Sequence, residues 1–263
     1  MFRISSIFLS LALLSSIANA KLITEEVSYN SGNTNMNGYI AYDDSIKGKR
    51  PGILVVHEWW GHNDYSRTRT EMLAKLGYTA IAIDMYGDGK TANHPKGAKA
   101  LAMGAKKDMS IAEDRFNAAL TVLKGHKSVN SEQVSAIGYC FGGGIVLDML
   151  RRGLEIDLAG IFHGGLKTNN PAKIGSLNGT KVMVFNGADD SSIKIDHIQD
   201  FVAEMTSAKA NLTLVNYPNT VHAFTNPEAT KLGEKFNFSN LAYNQEADKD
   251  SWKKFTNALN ELY

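Results

Sequence analysis

The chain has a single cysteine among its 263 residues, so no disulfide can form within it and the fold must rest on its core. It has no excess of either charge: 28 basic and 27 acidic residues leave a formal net charge of +1. Neither half is conspicuously basic, so neither nucleic acid nor an anionic membrane surface is implied as a partner. There is no internal repeat, low-complexity tract or long linker. No segment after the first twenty residues is long and apolar enough to span a bilayer. What remains is ordinary globular material, 43% hydrophobic and 21% charged. It is long enough to bury a sizeable core without staples.

The first residues form a separate object. Met1-Phe2-Arg3 carries one positive charge, residues 7–17 are largely apolar with interspersed serines, and Ala18-Asn19-Ala20 places small residues at the two positions read by a signal peptidase. This pattern predicts a secretory signal peptide over 1–20, cleaved after Ala20. The expected mature protein is a single domain over 21–263 that is exported, periplasmic or secreted, and not anchored in a membrane. An unpaired thiol in an oxidising compartment is a liability, so Cys140 needs either a function or a buried, inert position.

Runs of β-formers alternate with helical patterns. Residues 27–29 and 39–42 read as an early hairpin across Ser31-Gly32-Asn33. Residues 53–57, 79–83, 134–138, 158–162, 182–185 and 212–215 read as strands, mostly buried on both faces. Residues 65–76, 98–107, 111–123, 144–150, 195–205 and 247–262 read as helices, the first closed by Gly77 as C-cap. This order predicts an α/β fold, a mostly parallel sheet with helices on both faces. In such sheets a ligand sits beyond the carboxyl ends of the strands. His57-Glu58, Asp84-Met85-Tyr86, Tyr139-Cys140, His163, the 186–190 segment and His222 all follow strands, so the reactive side chains collect on one edge.

The strongest signal is Gly138-Tyr139-Cys140-Phe141-Gly142, followed by Gly143 and Gly144. It has the form G-x-C-x-G between a strand and a helix, the setting of a nucleophile elbow. The turn is tight enough that flanking side chains would collide with the adjacent backbone. It lifts the sulfur toward the positive end of the helix dipole, which favours thiolate. The N–H of Phe141 then points at a developing oxyanion. The glycine run lacks a P-loop lysine and dinucleotide spacing. A base and its orienting acid should follow the nucleophile in that chain order. His222 is the histidine in place. Asn186-Gly187-Ala188-Asp189-Asp190 offers two acids, of which Asp190 is preferred. His57-Glu58-Trp59-Trp60-Gly61 follows the strand that supplies the second oxyanion donor. A carboxylate at Glu58 disfavours thiolate by like-charge repulsion and protects a resting thiol. Trp60, Tyr86 and Phe224, with Trp59, are candidate pocket walls. His57, His62 and His163 lack metal-ligand spacing, so no metal or cofactor is expected.

These strings, with Asp84-Met85-Tyr86-Gly87 and His222-Ala223-Phe224, resemble the dienelactone hydrolase family over nearly the whole mature chain. The resemblance implies an α/β-hydrolase fold and a triad of Cys140, Asp190 and His222. It also implies a resting-state role for Glu58, oxyanion donors at the backbone of Phe141 and Trp59, and a small-molecule ester or lactone as substrate. Arginines that hold an anionic substrate in that family are missing at Gly87-Asp88-Gly89 and at Thr225-Asn226-Pro227, which points to a neutral ester or lactone. The competing expectation is a catalytically idle binding protein on the same fold. A thiol redox role is disfavoured by the lack of a resolving cysteine.

Overall fold

A hairpin opens the fold. β1 (Leu22–Ser31) and β2 (Thr34–Asp43) pair antiparallel with Ser31 opposite Thr34, which leaves Gly32 and Asn33 as the turn. Gly32 sits at φ +57°, where a side chain is disfavoured. Both strands run longer than the sequence pattern predicts. β1 alternates polar, outward residues such as Glu26 and Ser28 with half-buried ones, and that alternation hides a strand from a search for apolar runs.

The computed structural model describes residues 21–263, so the expected signal segment lies outside the described residues. Beyond the hairpin come β3 (Arg50–Val56), β4 (Thr79–Ile83), β5 (Val129–Tyr139), β6 (Leu158–Phe162), β7 (Lys181–Gly187) and β8 (Asn211–Tyr217). The helices are α1 (Asp64–Lys75), α2 (Pro95–Lys106), α3 (Met109–Gly125), α4 (Phe141–Arg151), α5 (Ile195–Ser207), α6 (Ala229–Phe236) and α7 (Gln245–Leu262). All eight strands form one sheet in the order β1-β2-β4-β3-β5-β6-β7-β8, with β4 to β8 parallel. The α/β class and the layered arrangement agree with expectation.

The central strands are apolar throughout because both faces are covered. In β3, Leu54 and Val56 face one core with Phe116 of α3, Ile145 and Leu150 of α4, and Phe201 of α5. Ile53 and Val55 face the other, with Leu73 of α1 and Phe255 and Leu259 of α7. This is the period-two alternation of a strand between two layers. After β4 the chain crosses back past β3 to lay down β5, so the order reverses at β3 and opens a crevice at the carboxyl edge there.

α6 was not expected from the sequence. Its eight residues contain Gly233, a poor helix former. The glycine is needed for packing: a Cβ there would lie 2.3 Å from the Leu241 carbonyl oxygen, so the helix sits directly against the segment that returns beneath it.

Candidate active site

Cys140 joins β5 to α4 at φ +53° and ψ −113°, a conformation costly for any residue with a side chain, on the order of 1–3 kcal/mol. Its neighbours make the bend possible. A Cβ on Gly138 would lie 2.2 Å from the Gly142 carbonyl oxygen, and one on Gly142 would lie 2.4 Å from that of Val56. The Cys140 N–H donates to the Phe162 carbonyl oxygen at 3.0 Å and to His163 Nδ1 at 3.1 Å, which ties the bend to the end of β6. Phe141 is the first residue of α4, so its N–H is among the donors that the helix leaves without a partner in its own ladder.

His222 follows β8, and its Nδ1 lies 2.7 Å from Asp190 Oδ2, which follows β7. With Nδ1–H donated to the carboxylate, Nε2 is left for the thiol. Burial disfavours an imidazolium here, but the neighbouring Cys140 sulfur and the bond to Asp190 outweigh it, so the His222 pKa is held well above its ordinary value. Burial also opposes the charge on Asp190. Bonds from His222, Ser192 and Asn240 prevail and keep its carboxyl far below the usual range. Asp189, by contrast, is exposed. Asn240 does more than contact the acid: its carbonyl accepts the His222 N–H at 3.1 Å. The segment after α6 thus grips acid and imidazole together.

Glu58 is 2% exposed and lines the same cavity as Cys140. Burial pushes its pKa up to about 7, against the pull of Asn226 Nδ2–H, which donates to Oε2 at 2.7 Å, and of His222 and Arg69. Trp59 is held by its carbonyl, which accepts from the Tyr86 hydroxyl at 2.9 Å. His57 is fully buried. Its Nε2 accepts from the Met85 N–H at 3.2 Å, so Nδ1 carries the proton and donates to the Glu58 carbonyl at 2.5 Å. Burial lowers its pKa to about 4, so it stays neutral at pH 7.

The cavity above the sulfur has a volume of about 460 Å³. Trp59, Trp60, Ala223, Phe238 and Leu241 supply apolar walls, and Ser192, Ser239 and Asn240 add polar ones. Glu58 and His222 are its ionisable side chains besides the thiol; no lysine or arginine lines it. Among the described residues, no group of three or more His, Cys, Asp or Glu side chains is placed to hold a metal.

The family model described as the dienelactone hydrolase family matches residues 36–263. The chain belongs to the dienelactone hydrolase family. Among its relatives is a candidate carboxymethylenebutenolidase of Synechocystis sp., 29% identical over 247 residues that cover 88% of this chain and 94% of the relative. The crystal structure of a dienelactone hydrolase-like promiscuous phosphotriesterase from metagenomic libraries is 30% identical, with a TM-score of 0.83 over 92% of this chain and 98% of that one. A dienelactone hydrolase from Anabaena variabilis, 17% identical with a TM-score of 0.56 over 84% and 99% of the two chains, shares the fold. Family membership supports a hydrolase of the dienelactone hydrolase type on an α/β-hydrolase fold.

Within this family frame, the structure brings Cys140, Asp190, His222, Glu58, Trp59 and Trp60 together and places Phe141 at the start of α4. Two expectations are corrected. Phe224 is fully buried, packed on His163 and Tyr217 in the core shared with α7, because the residues after His222 turn down into the sheet face. Tyr86 is 5% exposed and packs on His57 and Phe141, so it props the Trp59 loop from behind and lines no wall of the cavity. Sequence reasoning missed Asn226, Phe238 and Asn240. Asn226 stands four residues after His222, in the stretch where the family resemblance called for an arginine, and its contact with Glu58 is the trace of that position. Phe238 and Asn240 follow the unforeseen α6 and left no signal.

Proposed function

We propose that this chain hydrolyses neutral carboxylic esters or lactones through a thioester on Cys140. The observation that carries the reading is His222, bonded to the Asp190 carboxylate at 2.7 Å and lining one cavity with the sulfur of the strained elbow. His222 Nε2 takes the thiol proton as sulfur attacks the acyl carbon. The N–H groups of Phe141 and Trp59 receive the oxyanion. Collapse breaks the acyl–oxygen bond, and the imidazolium returns its proton to the departing alkoxide. Water then attacks the thioester, giving its proton to His222, and the acid leaves as the thiol reforms. Glu58 restrains the resting thiol: when ionised it repels a thiolate, and its own preference for a proton near neutrality lets that repulsion relax. The substrate class follows from a cavity walled by tryptophan, phenylalanine and leucine without a lysine or arginine, so an anionic substrate group finds no charged partner there beyond the His222 imidazole itself.

The test compares wild type, Cys140→Ala and His222→Ala on p-nitrophenyl acetate, p-nitrophenyl butyrate and an uncharged lactone. Both variants are expected to lose at least about a thousandfold in kcat/KM. Equal rates for wild type and Cys140→Ala would falsify the assignment. A neutral aryl phosphotriester belongs in the same panel, because a similar protein is a promiscuous phosphotriesterase and a cavity without lysine or arginine suits uncharged esters of either acid.

We further propose that residues 1–20 direct export and are removed. β1 starts at Leu22, two residues past Ala20, so cleavage there leaves every strand intact. Amino-terminal sequencing of the exported protein should begin at Lys21; a start at Met1 on exported material excludes cleavage.

A further inference from the structure

Behind the sulfur runs a line of buried polar groups that the acyl-transfer scheme does not use. His163 follows β6, is fully buried, and sits at φ +42°, a strained value for histidine. Its Nδ1 accepts the N–H of Cys140 at 3.1 Å. A backbone N–H can only donate, so Nδ1 is unprotonated and a neutral ring carries its hydrogen on Nε2. Nε2–H then donates to Thr225 Oγ1 at 2.7 Å. Thr225 stands three residues after His222, in the same loop.

Both ends of this connection are anchored. At the elbow, the Cys140 N–H also reaches Phe162. At the loop, Thr225 Oγ1 meets the Tyr65 hydroxyl at 2.6 Å, and Arg69 donates to the Thr225 carbonyl oxygen at 2.6 Å and to Asp248 at 2.5 Å. Elbow and histidine loop are thus bolted through one flat ring to α1 and α7. The His163 ring also stands edge-on to that of His222, with centroids 5.2 Å apart and planes at 67°. Both of its nitrogens are committed, so it offers the His222 proton no resting place and the proton stays available to the leaving group.

We propose that His163 is a positioning residue, a rigid strut that sets the separation between the Cys140 sulfur and the His222 imidazole and so governs transfer of the thiol proton. It touches no substrate, since the cavity stops short of it. The proposal rests on the thiol–imidazole reading above. The ionisable groups around the strut are His222 and Asp190 from the β8 and β7 loops, Tyr139 from β5, Tyr65 and Arg69 from α1, Asp248 from α7 and Glu58 from the β3 loop. They are common to wild type and to every variant below, so a difference in pH profile reports the strut.

Four variants separate its two ends. Thr225→Val removes the hydroxyl at constant shape, and Thr225→Ser keeps it. His163→Asn can still accept from the Cys140 N–H but falls short of Thr225. His163→Leu loses both contacts. The readouts are the rate of iodoacetamide alkylation of Cys140 against pH, and kcat and KM on p-nitrophenyl acetate. Expected for Thr225→Val and His163→Asn is a kcat about tenfold to a hundredfold lower with little change in KM, and an alkylation midpoint raised by about half a pH unit or more. His163→Leu should show a larger shift if it folds. Thr225→Ser should match wild type. Thr225→Val with the wild-type profile and kcat overturns the proposal, as does Thr225→Ser behaving like Thr225→Val. Alkylation needs no substrate. If wild type hydrolyses no ester yet the midpoints shift as expected, the strut stands and the hydrolase reading falls. If wild type is active and the midpoints coincide, the strut alone falls.

Discussion

Glu58 and His57 are adjacent, both buried, and pull the pH dependence of stability in opposite directions. Glu58 is raised from its ordinary 4.5 to about 7, so between those values the folded chain keeps a proton that the unfolded chain has released. Its contribution is therefore full below pH 4.5 and lost as pH rises through 7. His57 is lowered from 6.5 to about 4, so its contribution is present above pH 6.5 and lost as pH falls toward 4. Glu58→Gln removes the first effect alone and keeps an acceptor for Asn226. Relative to wild type, this variant should gain stability as pH rises from 5 to 8, by up to something on the order of 3 kcal/mol. Urea unfolding at the two pH values measures it, and a pH-independent difference contradicts it. At this scale the sequence was partly legible. The tight elbow and the chain order pointed to Cys140, Asp190 and His222, and the structure brings these three side chains together at one edge of the sheet. Tyr86 and Phe224 could not be placed, because a string of letters beside a site does not say which way a ring points. Phe224 turns into the core and Tyr86 supports Trp59 from behind.

The elbow works as an element, since β5, the bend and α4 share one set of close backbone approaches. Gly138→Ala would place a methyl group 2.2 Å from a carbonyl that cannot move without shifting the first turn of α4. The expected cost is at least about 3 kcal/mol, read as a fall in Tm of roughly 6–12 °C or as insoluble protein. An unchanged Tm would mean that the bend is looser than the structure shows. The segment after α6 is a second such unit, because Asn240 meets Asp190 with its amide and the His222 N–H with its carbonyl. Asn240→Ala should lower kcat about tenfold by loosening the acid while its backbone contact with His222 persists. A kcat equal to wild type assigns orientation of the acid to Ser192 alone. The strands were readable from apolar runs, as β4 and β6 show. α6 was not, because a short helix with a central glycine is stabilised by what packs on it, and that partner lies elsewhere in the chain.

Across the whole molecule, a buried ionic connection ties together parts of the chain that are far apart in sequence. Arg69 in α1 is 4% exposed and reaches both the Thr225 carbonyl and Asp248 in α7, so it links the first helix to the last. Arg69→Met should cost about 3–5 kcal/mol because Asp248 and the Thr225 carbonyl lose their shared partner. Arg69→Met combined with Asp248→Leu should recover part of that loss. A double variant no better than the single one would show that Arg69 acts through its contacts with Tyr65, Tyr139 and Trp252 instead. With one cysteine in the chain, the unfolding midpoint should be the same with and without dithiothreitol, and a reductant-dependent midpoint would point to a bond between two chains.

β5, β6, β7 and β8 lie side by side in the order in which they occur along the chain, and they bear in turn the sulfur, its brace, the acid and the imidazole. The ribosome therefore delivers the proposed nucleophile long before the imidazole proposed to activate it. A chain halted anywhere ahead of β8 carries a thiol with no base to deprotonate it. On the proposed reading, the sulfur gains its base only when the final strand docks at the edge of the sheet, so unfinished copies would lack the acyl-transfer activity.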